Sequence, residues 1–135
     1  MRSPQSKLPD MGTPIGFIGL GNIGMPMALN LAKAGLPVLA YDVSADALAQ
    51  AAEHGIAAAL SARAVADQAK VVLLSLPTPA IVEQVVLGEG GVAGGEALHC
   101  LIDLSTSGPR TARKLAEAMT ARGGVALEAP VSGGV

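Results

Sequence analysis

An apolar run from Ile15 to Leu20 leads into Gly19-Leu20-Gly21-Asn22-Ile23-Gly24, a helical pattern follows, and a second apolar run from Pro37 ends on Asp42. Three glycines spaced G-x-G-x-x-G carry little weight alone in a chain with 17 glycines. Set directly after a strand, at the start of a helix and ahead of an acid at the next strand end, they describe a β-α-β unit shaped for a dinucleotide. Gly19 permits the tight turn out of the strand, Gly21 lets backbone approach a pyrophosphate, and Gly24 lets the helix pack closely on the strand. The first N–H groups of the helix, at the positive end of its dipole, would face the phosphates. Leu20, Asn22 and Ile23 complete the loop around them. Asp42 is placed to accept hydrogen bonds from the adenosine ribose hydroxyls. Its charge would repel a 2′-phosphate, and Val43-Ser44-Ala45 supplies no arginine to offset it. NAD is therefore expected in preference to NADP.

The alternation continues to the end of the chain. A helix over 22–34, with Met25, Leu29 and Ala32 or Lys33 on successive turns, is closed by Gly35. The second strand is Pro37 to Asp42. Ser44 can cap a helix to about His54, and a short strand near Ile56–Leu60 follows. Ser61 can cap a helix to Ala69. Val71 to Leu76 is the most strand-like run, β-branched at its start and closed by Pro77. A helix from about Pro79 to Leu87, a glycine-rich loop over Gly88–Gly95 and a strand from Cys100 to Leu104 come next. Pro109 to Arg122 is a helix with proline in its first turn, and Gly123-Gly124 breaks it before a last strand, Val125 to Ala129. Six strands with helical connections predict an α/β, doubly wound, mainly parallel Rossmann sheet of order 3-2-1-4-5-6 with right-handed crossovers. Residues 1–13 read as a loose polar leader and 14–135 as one domain.

Composition agrees and excludes several function classes. Half of the chain is apolar, yet Phe17 and Tyr41 are its only aromatic residues, so the core must be aliphatic. Short aliphatic runs suit strands covered on both faces. A net charge of −2 with no basic stripe speaks against a nucleic-acid partner. Arg2 and Lys7 are followed by no apolar stretch, so no signal peptide is expected, and no run is long enough to span a bilayer. The single cysteine cannot form an internal disulfide. A cytoplasmic protein without membrane partners is the expectation.

The loop is more particular than its glycines. Phe17-Ile18-Gly19-Leu20-Gly21-Asn22-Ile23-Gly24-Met25-Pro26-Met27-Ala28-Leu29-Asn30-Leu31 resembles the signature of the β-hydroxyacid dehydrogenases, with Ile23 where methionine is usual. This family includes 3-hydroxyisobutyrate dehydrogenases and tartronate semialdehyde (2-hydroxy-3-oxopropionate) reductases. Asp103-Leu104-Ser105-Thr106-Ser107-Gly108-Pro109 is similar to its D-x-S-T-x-x-P segment. Glu128-Ala129-Pro130-Val131-Ser132-Gly133-Gly134-Val135 is similar to its D-A-P-V-S-G-G loop, with Glu128 where aspartate is common. The resemblance implies that Leu76 and Pro77 lie along the cofactor and Thr106 near the nicotinamide end. It also implies that Ser105, Ser132, Gly133 and Gly134 hold the carboxylate and hydroxyl of a small hydroxyacid. In this family the general acid–base is a lysine on a helix of a second, all-helical domain, through which homo-oligomers are expected to form. Of the lysines here, Lys7 falls in the leader, and Lys33, Lys70 and Lys114 fall within or at the ends of helices. The catalytic lysine is thus expected beyond Val135, and the 135 residues alone are expected to be inactive.

Other residues have plainer readings. Cys100 is a core thiol, His54 and His99 lack metal-ligand spacing, and Met25 and Met27 pack a helix. Arg122, Glu117 and Arg113 read as a solvated helix face. Two rival functions remain. Related families, the 6-phosphogluconate dehydrogenases and imine reductases, share such a domain, but the former would favour NADP, against Asp42. A non-catalytic redox-sensing module would not need the substrate loop.

Overall fold

A computed structural model describes residues 13–131; Ser132, Gly133 and Gly134, like residues 1–12, lie outside the described residues. The elements follow in the order β1 (Ile15–Ile18), α1 (Gly24–Lys33), β2 (Val38–Tyr41), α2 (Ala45–Ala52), β3 (Ala57–Ala58), α3 (Ala62–Gln68), β4 (Val71–Leu74), α4 (Pro79–Leu87), β5 (Cys100–Asp103), α5 (Gly108–Ala121) and β6 (Val125–Glu128). A single 3-10 turn, Val92–Gly94, sits in the long β4–β5 connection. The six strands form one sheet, β3-β2-β1-β4-β5-β6, and every pairing is parallel. This is the predicted doubly wound order.

The helices cover the sheet from two sides, and two aliphatic clusters result. One joins Ile18, Val72, Leu74 and Leu101 to Val65 of α3, Val82 and Val86 of α4, and Leu115 and Met119 of α5. The other joins Phe17, Val38 and Ala40 to Met25 and Ala28 of α1 and Ala51 of α2. Successive residues of one strand, such as Phe17 and Ile18, thus enter opposite cores, which is why the central strands read as unbroken apolar runs.

Helix starts divide into two kinds. The hydroxyls of Ser44, Ser61 and Thr78 accept from the N–H groups of Ala47, Ala64 and Ile81 at 3.0–3.1 Å and so cap α2, α3 and α4. Neither α1, behind Ile23, nor α5, behind Ser107, has a side-chain cap. Two expectations need adjustment. β3 is only Ala57–Ala58, because small exposed alanines and a solvent-facing Leu60 give that edge little to bury. Arg122 is not on a solvated face: it is half-buried, and its guanidinium donates to the carbonyls of Ala93, Gly95 and Leu98, stapling the glycine-rich loop to the end of α5. Among the described residues no helix is long and apolar enough to cross a membrane, and no group of His, Cys, Asp or Glu could hold a metal ion.

Candidate functional site

Because β1 continues toward β2 on one side and β4 on the other, α1 and α4 leave the strand ends on opposite faces and a crevice opens between them. It is a cleft of ≈ 510 Å³ lined by Gly19, Gly21, Asn22, Ile23, Asp42, Leu76 and Pro77 among the predicted residues. Tyr41, Val43, Ala62, Ser75, Ile81 and Val85 also line it. These were not singled out from the sequence, although Tyr41, Val43 and Ser75 directly flank strand ends, where ligand contacts concentrate. A hollow of ≈ 600 Å³, lined by Pro14, Pro37, Lys70 and His99 among others, lies at the opposite, amino-terminal end of the sheet.

The three loop glycines do different work. Gly19 has φ +101°, and a Cβ there would stand 2.0 Å from the Ser75 carbonyl oxygen. A Cβ on Gly24 would stand 2.0 Å from the Gly19 carbonyl oxygen, so this position lets the helix close onto the turn. Gly21 is the opposite case: a Cβ would meet nothing within 4 Å. The fold leaves the space over Gly21 open, and a side chain there would project into the cleft.

The donors of the turn follow the same division. Gly19 donates its N–H to Tyr41 O at 3.0 Å, and Leu20, whose side chain is buried, donates to Asp42 Oδ2 at 2.6 Å. The next N–H groups, of Gly21, Asn22, Ile23 and Gly24, have no acceptor among the described residues, whereas Met25 donates to Gly21 O at 3.0 Å and begins the helix ladder. Four successive free N–H groups at an uncapped helix start, beside an open space, suit the two phosphates of a dinucleotide. Asp42 Oδ1 also accepts from Ser44 N–H at 2.8 Å. An ionised carboxylate offers about four lone-pair sites, so two remain for ribose hydroxyls. On these observations the residues fit an NAD-type cofactor. Leu20 and Gly24 serve by backbone and packing rather than by lining the cleft.

The β5 end is organised by Asp103, which is 2% exposed. Its Oδ1 accepts from Ser105 N–H at 2.9 Å and its Oδ2 from the Ser107 hydroxyl at 2.6 Å. Ser107 thereby turns away from capping α5. Ser105 Oγ accepts from Leu76 N–H at 2.8 Å, tying the β5–α5 loop to the β4–α4 loop. Thr106 is exposed at the carboxyl end of β5, outside the lining of the cleft. The Asp-x-Ser pattern at a strand end was a legible sign of the Asp103 turn. Among the described residues no lysine lines the cleft, and Lys114 pairs with Glu83 at 3.1 Å.

Comparison with known proteins agrees with this geometry. Residues 14–135 match the family described as the NAD binding domain of 6-phosphogluconate dehydrogenase. A 3-hydroxyisobutyrate dehydrogenase of Pseudomonas aeruginosa is 47% identical over 126 residues, covering 91% of this chain and 42% of that protein. The structure of a Mycobacterium tuberculosis 3-hydroxyisobutyrate dehydrogenase with L-serine superposes with a TM-score of 0.76 at 38% identity, over 90% of this chain and 41% of its own. That of Psf3 in complex with NADP+ and 2-OPP gives a TM-score of 0.81 at 28% identity, over 89% and 43%. The chain thus spans about two fifths of the length of the relatives it matches.

Proposed function

We propose that this chain, which belongs to the family of NAD-binding domains of 6-phosphogluconate dehydrogenase, is the cofactor-binding part of an NAD-dependent dehydrogenase of small β-hydroxyacids. The observation that carries the reading is the Gly21–Gly24 run of free N–H groups opening beside the Asp42 carboxylate. When bound, the nicotinamide supplies the hydride acceptor. The residues of this chain bind and orient. The loop N–H groups receive the pyrophosphate, Asp42 receives the ribose hydroxyls, and Leu76 and Pro77 flank the cofactor along the β4 end. Ser105 and Thr106, with Ser132, Gly133 and Gly134, are assigned to the nicotinamide end and the hydroxyacid. The proton is moved by a lysine of the longer protein, whose helical domain also carries self-association. The 47% identity to a 3-hydroxyisobutyrate dehydrogenase favours that acid class.

NAD is proposed as the preferred cofactor because Asp42 opposes a 2′-phosphate, although Psf3, a more distant relative, was solved with NADP+. Titrating the chain with NADH and NADPH by cofactor fluorescence tests this, and the absence of tryptophan keeps the signal clean. Binding of NADH at least about tenfold tighter than NADPH, a difference of about 1.4 kcal/mol, is expected. Tighter NADPH would reverse the cofactor assignment and favour a phosphogluconate-type parent.

A further inference from the structure

The main-chain ladder between β1 and β2 ends where Gly19 donates to Tyr41 O. One residue later the dinucleotide turn is held to β2 by a side chain: Leu20 N–H donates to Asp42 Oδ2 at 2.6 Å. The other oxygen accepts from Ser44 N–H at 2.8 Å, and Ser44 in turn caps α2 through Ala47 N–H at 3.1 Å. Leu20 is anchored from both sides, its side chain 4% exposed in the core and its N–H on the carboxylate. Immediately beyond it begin the four N–H groups that have no acceptor among the described residues.

From this arrangement we propose that Asp42 is the positioning residue of the phosphate turn as well as its ribose acceptor. The carboxylate fixes the turn in its open geometry before any ligand arrives, so ribose recognition and presentation of the phosphate donors run through one side chain. Charge-assisted hydrogen bonds from backbone N–H groups are short and strong, which suits this task. The consequence differs from simple charge repulsion. Replacing Asp42 does not convert the site to NADP; it weakens both dinucleotides, because the turn they share loses its support.

The inference rests on the dinucleotide reading, and two variants test it. Asp42→Glu keeps the charge, but its extra methylene moves the carboxylate off Leu20 N–H. Asp42→Asn keeps one acceptor oxygen for two donors and drops the charge. Amide hydrogen exchange of the ligand-free chain reads the turn directly. In both variants the Leu20 amide should exchange at least about tenfold faster, with core-strand amides such as that of Val72 unchanged. NADH and NADPH should both bind about tenfold or more weakly to Asp42→Glu, and by a larger factor than adenosine, which has no phosphates and loses only its ribose contact. An unchanged Leu20 amide, or NADPH binding that tightens in Asp42→Asn, would overturn the proposal. If the unaltered chain bound neither dinucleotide, the cofactor reading would fail, and the exchange of Leu20 would still decide whether Asp42 holds the turn.

Discussion

In the β1–α1–β2 corner Phe17 is 0% exposed and Ile18 2%, and the turn above them is tied to its neighbour strand through backbone and carboxylate. In the β5–α5–β6 corner Val125 is 41% exposed and Leu127 50%, although the same sheet runs through both. The polar organisation of the two corners is alike: Asp42 and Asp103 each close a strand end and accept from the N–H two residues on. What differs is closure. The cofactor corner has a buried floor, an internal polar frame and free donors only where phosphates would sit. The other corner has the frame but presents apolar β6 side chains to solvent. The donors at the first corner are framed by these residues themselves, whereas the second corner leaves an apolar strand face exposed.

The largest expected effect lies in the sheet. Leu74→Ala, at a fully buried position, is expected to cost about 2–5 kcal/mol in urea unfolding. Leu127→Ser should stay within about 0.5 kcal/mol of the parent. A comparable loss at both sites would mean that β6 is as integral as the centre. Next in size is Arg122→Ala, expected to cost about 1–3 kcal/mol, since it strands three carbonyls of the β4–β5 connection. Arg122→Lys should recover little of it, because a single ammonium cannot span three acceptors as a planar guanidinium does.

The smallest effect concerns pH. The Thr111 hydroxyl, and then Lys114, hold the Glu83 carboxyl below its ordinary range and link α4 to α5. A carboxyl lowered in the folded state contributes stability at neutral pH that is lost as pH falls through the carboxylate range. Between pH 7 and pH 4 the urea midpoint should therefore drop slightly more for the parent than for Glu83→Gln. An equal drop would remove Glu83 from the link.

Much of the cofactor corner was legible because its signals are local. Strand, glycine turn, helix and Asp42 follow one another within 28 residues, and the Ser44 and Ser61 caps lie three residues from their donors. What the sequence concealed is non-local. Arg122 reaches carbonyls 24–29 residues away, and backbone acceptors leave no pattern in side chains. The bond from Leu20 to Asp42 spans 22 residues and its donor is a backbone N–H, so Asp42 was readable as a ribose acceptor but not as a support. Ser105 was read through its resemblance to a substrate residue, and its tie to Leu76 became visible only once β4 and β5 were paired. The shortness of β3 escaped the apolar pattern because alanine is apolar without having much to bury.

The open space around Gly21 points to a glycine kept small for the ligand and not for the fold. Gly21→Val tests this most directly, with NADH titration and urea unfolding on the same preparation. Open space around Gly21 predicts a stability within about 0.5 kcal/mol of the parent and an NADH affinity reduced at least about tenfold. A variant that keeps both its stability and its NADH affinity would contradict the account, because the space over Gly21 would then not be where the pyrophosphate binds.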